Sequence, residues 1–376
     1  MKSFIKKHNF FSGLRLRQIL NDLKRRPEDA AKELKMPISQ FNKLLNGEDP
    51  LTERLVRQIT SIWPIKLVDI INPFYDSEPS YKVMKASSSA KTSRIMKRGG
   101  LDYYEYQDTV MSKNAPFRPE WIRELVYVSD NDPNNKNVHW NQGHLLHQFT
   151  YFVGEVNFYY LDNNNNKKVA IMNTGDSMFI GYYVPHTFAT RNKKLNSYII
   201  AITYYDTISY DIQNELLDYG LKKSIKFIEN SKKSNTGKVK IAKYGNCKFK
   251  YKRYKNKSIY KYKCLATTPL VNTSDAIELE VICKNEFSRY SSSHQYLYVL
   301  SKDGSLNIEG KTHRVKYGDT LYIKPFVAHK FNKTGLKVLI MSVQGKIRKD
   351  TIEQLRHMGE KNIKKIIYDN TSWFKK

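Results

Sequence analysis

A chain of 376 residues is longer than one ordinary hydrophobic core serves, so two or three domains are expected. Three cysteines, Cys247, Cys264 and Cys283, with no CxxC spacing, argue against a disulfide framework and a thiolate zinc site; the absence of any run of 18 apolar residues argues against a membrane span, and the start, MKSFIKKHNFFSGLRLRQ, has no apolar stretch long enough for a signal peptide. The net charge of +28 would suit an anionic partner, but residues 222–263 hold 16 Lys/Arg against Glu229 alone, a Lys-, Asn- and Tyr-rich stretch that reads as a solvated basic surface. A cytoplasmic location is the expectation.

Residues 1–80 read as a helix-turn-helix-like helical domain. Apolar residues recur three and four apart in LRLRQILNDL, PEDAAKELKM and ISQFNKLLNG, the spacing that gives a helix one buried face. Pro27 suits a first helical turn, Gly47 a C-terminal cap, and Ser39 the opening of the second helix after a turn at Met36–Pro37. Alone, this suggests a DNA-binding regulator. A recognition helix would be basic, however, and ISQFNKLLNGED has one Lys, one Glu and one Asp, so DNA binding is not expected.

From about residue 81 the texture becomes short alternating runs of Tyr, Phe, Val and Ile, broken by loops at 130–137 and 162–166. The limits expected are a first β-barrel over 81–207, a helical connector over 208–236, a second barrel over 237–347, and a C-terminal helix and tail over 348–376. The β regions repeat one another: HQFTYFVGEVNFYYL and TGDSMFIGYYVPHTF match HQYLYVLSKDGSLNI and YGDTLYIKPFVAHKF. In each copy a Gly-Asp turn precedes a histidine by 11 residues, Gly175 to His186 and Gly318 to His329. A strand ending at Gly-Asp, then a strand carrying Pro and His, is similar to the second half of the cupin signature. The expected fold class is therefore mainly β with an α-helical N-terminal domain: tandem cupin (jelly-roll β-barrel) domains plus a helix-turn-helix-like bundle.

Strand alternation in NQGHLLHQFTYFVGE turns His144 and Gln148 inward together and His147 the other way. With His186 on the later strand, two imidazoles and one oxygen donor share a face and leave positions open opposite, the arrangement of a non-haem Fe(II) oxygenase. The third donor is an amide. It donates more weakly than a carboxylate and leaves the site one unit more positive, which favours an anionic ligand such as a phosphonate. Glu155 lies across the Gly154 turn in the opposite parity and is not expected to ligate. In the second copy Gln295 and His329 match Gln148 and His186, but Ser291 replaces His144, so that copy is expected to be structural or dimerising.

Helix-turn-helix, cupin and degenerate repeat together resemble the phosphonate-oxygenase cupin family, whose epoxidase pattern is His-x3-Glu followed by a distant His. Here His144 and Gln148 have that spacing and His186 follows 38 residues later; Gln in the carboxylate position, with Ile180 where the dioxygenase carries a Glu ligand, resembles the methylphosphonate-forming branch. The resemblance implies Fe(II) as cofactor, and O2 and a small phosphonate as partners. It also implies cleavage of 2-hydroxyethylphosphonate to methylphosphonate and carbon dioxide; the alternatives are the dioxygenase outcome, hydroxymethylphosphonate and formate, or a cupin-type transcription regulator. It further implies Asn141 and Arg98 as phosphonate-binding residues, with Tyr106, eight after Arg98, as the accompanying phenol and Tyr103 or Tyr104 as its replacements. Lys24, in NDLKRRPED, would reach a neighbouring subunit's active site in a homo-oligomer, making the helical domain a lid.

Overall fold

The computed structural model describes residues 2–70, 80–144, 146–204, 215–216, 218–220, 222–226, 239–266, 274–345, 353–359 and 361–362. It divides into two compact units, Met1–Tyr75 with Arg348–Lys376, and Asp76–Ile347. The first contains α1 (Lys2–Asp22), α2 (Pro27–Glu33), α3 (Ile38–Leu45), α4 (Glu53–Ile62) and α5 (Leu67–Ile70). Their apolar faces meet in a core of Leu16, Leu20, Phe41, Ile59 and Trp63, and the Trp63 indole donates to Glu33 at 2.6 Å. Pro27 does open α2. Helix α3 starts at Ile38, one residue before the expected Ser39, because Pro37 takes the N-cap position with extended backbone (φ −61°, ψ 138°). Gly47 follows α3 at φ 72°, the left-handed conformation in which glycine ends helices cheaply. Within the expected connector, residues 215–216, 218 and 222–226 are helical, and the rest lies outside the described residues.

The strands of the second unit pair antiparallel, and its helical parts are short: α6 (Ala86–Ala90), a 3-10 turn at Tyr244–Asn246 and the connector residues above. Its strands are β1 (Tyr81–Met84), β2 (Arg94–Arg98), β3 (Leu101–Asp108), β4 (Phe117–Glu124), β5 (His147–Val153), β6 (Val156–Leu161), β7 (Lys167–Met172), β8 (Ser177–Ile180), β9 (His186–Thr190), β10 (Tyr198–Tyr204), β11 (Val239–Ala242), β12 (Phe249–Tyr254), β13 (Lys257–Cys264), β14 (Ser274–Val281), β15 (His294–Val299), β16 (Asp303–Ile308), β17 (Lys311–Lys316), β18 (Thr320–Ile323), β19 (His329–Phe331) and β20 (Lys337–Val343). A large sheet, β11-β8-β5-β10-β4-β3-β2, packs on a small one, β7-β6-β9; the pattern recurs as β1-β18-β15-β20-β14-β13-β12 with β17-β16-β19. These are two jelly-roll barrels, the mainly-β tandem fold expected.

The barrels exchange edge strands. β1 precedes the first barrel but completes the second barrel's sheet (Tyr81 opposite Ile323), and β11 precedes the second but completes the first (Val239 opposite Ile180). A third core joins them, in which Phe149, Ile200 and Ile202 meet Tyr296, Leu339 and Met341. This explains the almost unbroken apolar run of β10: one face lines a barrel and the other packs against the neighbouring barrel. The basic stretch also finds a physical place. β12 is an edge strand exposed over Phe249–Arg253, and rows of lysine keep an unpaired edge from recruiting another chain.

Candidate metal centre

His144, Gln148 and His186 converge inside the first barrel. Gln148 lies on β5 directly opposite Ile180 of β8 and Thr203 of β10; the His144 and His186 rings stand 5.3 Å apart and nearly perpendicular, at 85°. His144 precedes β5 and is placed by a tight junction: Gly143 (φ 73°) packs against Tyr183, and the Tyr183 N–H donates to the His144 carbonyl at 2.9 Å. His147, as expected, points away from the barrel interior, but it is buried, stacked on Tyr182 with centroids 4.1 Å apart. Glu155 is exposed at the Gly154 turn.

The hydrogen bonds orient both imidazoles. His144 Nδ1 bonds to the Leu146 carbonyl at 2.9 Å and His186 Nδ1 to the Val184 carbonyl at 2.8 Å. A carbonyl accepts only, so Nδ1 carries the proton in each ring and Nε2 presents a lone pair. His144 Nε2 then faces Gln148 Oε1 at 3.0 Å, with the Gln148 amide NH2 committed to Thr150 Oγ1 at 2.8 Å. Two lone pairs facing one another in a buried site repel unless a cation sits beside them. Burial, with the Arg98 charge adding to it, pushes the His186 pKa down to about 3, so this ring stays in its neutral, ligating form. Asn141 braces the group: its Oδ1 accepts from His186 N–H and Gly143 N–H, both at 2.9 Å, and its Nδ2 lies 3.1 Å from His186 Nε2. Among the described residues no cluster of three His, Cys, Asp or Glu could hold a metal; the donor set here depends on the amide.

Arg98 lies beside this group, at the end of the β2–β3 hairpin. Its guanidinium stacks over Tyr103 (5.2 Å) and Tyr104 (5.3 Å), and Nη1 donates to the His139 carbonyl at 3.1 Å and Thr187 Oγ1 at 3.3 Å. Thr187 Oγ1 also meets the hydroxyls of Tyr103 (3.1 Å) and Tyr104 (3.0 Å), and Tyr104 accepts from Phe188 N–H at 2.9 Å, closing the open edge of β9. Burial raises the pKa of both phenols. Tyr106 lies opposite Arg94, whose guanidinium is 5.7 Å from its ring, so the tyrosines stacked under Arg98 are 103 and 104. Lys24 belongs to the helical unit, just after α1, at φ 56°. The sequence reading missed Thr150, which fixes the Gln148 amide, and Thr187. Thr150 had a signal, being two residues after Gln148 and so on the same strand face; Thr187 had only its place beside His186. Also missed was Glu124, fully buried with neither carboxylate oxygen hydrogen-bonded.

No protein-family model matches the chain. It is 36% identical to methylphosphonate synthase of Nitrosopumilus maritimus (strain SCM1) across 96% of this chain and 95% of that protein. It is also 31% identical to the (S)-2-hydroxypropylphosphonic acid epoxidase of Streptomyces wedmorensis, over 28% of this chain and 52% of that one. Among solved structures, Streptomyces albus HEPD with 2-hydroxyethylphosphonate and Fe(II) bound superposes with a TM-score of 0.84 at 26% identity, over 96% of this chain and 98% of that one. A hydroxyethylphosphonate dioxygenase mutant shares the fold, with a TM-score of 0.70 at 13% identity over 94% and 98% of the two chains. The 36% identity across nearly the whole length places the chain in the methylphosphonate synthase family, one of the non-haem iron phosphonate oxygenases.

Proposed function

We propose that the chain holds Fe(II) on His144, Gln148 and His186 and converts 2-hydroxyethylphosphonate and O2 to methylphosphonate, carbon dioxide and water. The observation that carries this reading is the His144 Nε2–Gln148 Oε1 approach, two lone pairs 3.0 Å apart with the His186 ring beside them. A metal cation between such a pair relieves it, and three donors on one side leave room for substrate oxygens and O2 on the other. When bound, the metal supplies the redox chemistry.

The chain's own residues bind and orient. Arg98 spends only Nη1 on the protein among the described residues, so its other N–H groups can grip a phosphonate in the forked geometry suited to an oxyanion. Asn141, whose Nδ2 lies 3.1 Å from His186 Nε2, would bind a phosphonate oxygen, and Ile180, buried opposite Gln148, keeps a competing carboxylate away from the metal. Tyr103 and Tyr104 hold Arg98 in place, and Tyr106 completes the aromatic wall through its edge contact with Tyr104 at 6.0 Å. The same reading assigns catalysis to 81–207 and a supporting role to 237–347, linked through 208–236 and flanked by 1–80 and 348–376. Lys24 would reach a neighbouring subunit's site in a homo-oligomer in the cytoplasm. Among the described residues no helix is long and apolar enough to cross a membrane.

Anaerobic Fe(II) reconstitution followed by phosphorus NMR with 2-hydroxyethylphosphonate and O2 tests the reaction. Methylphosphonate is expected. Hydroxymethylphosphonate in its place would assign the dioxygenase outcome, and neither product would sink the reading.

A further inference from the structure

The second barrel repeats the frame of the first and replaces part of its contents with a fixed cation. Phe326 N–H donates to the Ser291 carbonyl at 2.7 Å just as Tyr183 N–H donates to that of His144, and Tyr183 and Phe326, each three residues before the barrel histidine, share left-handed backbone (φ 55° and 64°). On this frame Arg289 N–H donates to the His329 carbonyl at 2.7 Å, as Asn141 N–H does to that of His186 at 3.2 Å. Arg289 therefore stands where the first barrel carries Asn141, and Ser291 where it carries His144. A cavity of about 370 Å³ opens at this mouth, with Arg289, Ser291, Gln295, Ser342 and Asp275 among its lining.

Two residues of this lining, Arg289 and Gln295, and the barrel histidine His329 each carry a buried polar atom without a partner. Arg289 Nε has no hydrogen bond; the guanidinium lies 5.9 Å from the Tyr260 ring and 5.8 Å from that of Phe331, and among the described residues no carboxylate forms an ion pair with it. Gln295 donates its NH2 to Ser342 at 3.1 Å and leaves Oε1 unsatisfied in a side chain that is 3% exposed. His329 Nε2 is likewise unpartnered, with Nδ1 bonded to the Val327 carbonyl at 3.1 Å. A half-buried guanidinium with its Nε buried and no carboxylate paired to it favours an anion, and an unsatisfied amide oxygen calls for a donor. The one carboxylate in the lining, Asp275, is exposed, so it repels an anion from its own end of the cavity and attracts a donor there.

We propose that the second barrel binds a small organic oxyanion whose far end carries a hydrogen-bond donor. The oxyanion sits on the Arg289 guanidinium and the Ser291 hydroxyl; the hydroxyl or ammonium end meets Gln295 Oε1 and points toward Asp275. Because arginine supplies the positive charge, this site needs no metal.

The test is calorimetric titration of the full-length chain, stripped of metal and chelator, with inorganic phosphate, ethylphosphonate and 2-hydroxyethylphosphonate. One metal-independent site per chain is expected, binding 2-hydroxyethylphosphonate about tenfold tighter than ethylphosphonate, the effect of one added hydrogen bond to a buried acceptor. Arg289→Met is expected to weaken binding at least tenfold. Gln295→Leu, which keeps the cation, should abolish the preference for the hydroxylated ligand. Arg98→Gln should leave this binding as it is. Absence of binding at millimolar ligand overturns the proposal, as does binding that survives Arg289→Met in a folded variant but is lost in Arg98→Gln. Equal affinity for all three ligands overturns the donor end. Turnover is not read in this assay, so its failure leaves the proposed reaction standing, and failure of the reaction leaves this site standing.

Discussion

Gly143→Ala offers a quantitative test of how the metal centre is assembled. At φ 73° an added Cβ would lie 2.5 Å from the Tyr183 carbonyl carbon and 2.8 Å from both Tyr183 Cα and Val184 N. These are backbone atoms that cannot swing aside, so the 141–144 segment must retreat by about 0.9 Å before that contact reaches the 3.4 Å of ordinary packing. Left-handed backbone costs a non-glycine residue about 1–2 kcal/mol, and the forced shift adds roughly the same again. A total of about 2–4 kcal/mol lowers Tm by roughly 4–12 °C in a unit of this size. The larger consequence is local. The retreating segment carries Asn141 and His144, and a metal site tolerates about 0.5 Å of misplacement, so Fe(II) affinity should fall about 10- to 100-fold, as when other supporting contacts are lost. Gly310→Ala is the control. Gly310 has φ 84° and nothing within 4 Å of its added Cβ, so it should lose about 1–2 kcal/mol and no metal affinity. The assays are thermal melting and anaerobic competition for Fe(II) against a chromophoric chelator. Equal losses of metal affinity in the two variants, or wild-type affinity in Gly143→Ala, would refute the reasoning.

Gln148→Glu should bind Fe(II) at least about tenfold tighter at pH 8, since an anionic oxygen replaces a neutral one on a dication; unchanged affinity in the same competition would remove Gln148 from the ligand set. Glu124 is fully buried, and burial raises its pKa well above the ordinary glutamate value. The native state therefore holds a proton that the unfolded chain releases, and stability falls as pH rises above about 4.3. Glu124→Gln should raise Tm, by more at pH 8 than at pH 5, and a difference independent of pH would show that the carboxyl is ionised in the fold. His294 has the opposite sign: burial, with Lys324 nearby, lowers its pKa to about 4, so its contribution is complete above about 6.5 and is lost as pH falls below that, through protonation of the unfolded chain. His294→Phe should flatten the decline in Tm between pH 6.5 and 4, and an unchanged slope would assign that decline to other groups.

The amino-acid sequence alone determined what is periodic or local. Alternation put His144 and Gln148 on one strand face, the 11-residue interval from Gly-Asp to His exposed the repeat, and the replacement of His144 by Ser291 marked one copy as different. It also carried the helical bundle, although a proline cap moved the start of α3 by one residue. Tertiary structure alone decided what depends on groups distant in the chain. The exchange of β1 and β11 between barrels rests on pairings that no local pattern encodes, and Thr187 gathers Arg98, Tyr103 and Tyr104 across more than 80 residues. The His186 ring comes within 5.3 Å of His144 from a later strand only because the barrel closes, and closure of the second barrel leaves Arg289 Nε without a partner beside the Tyr260 and Phe331 rings. Periodicity tells a side chain which way to face; only closure of the barrel tells it what it will meet.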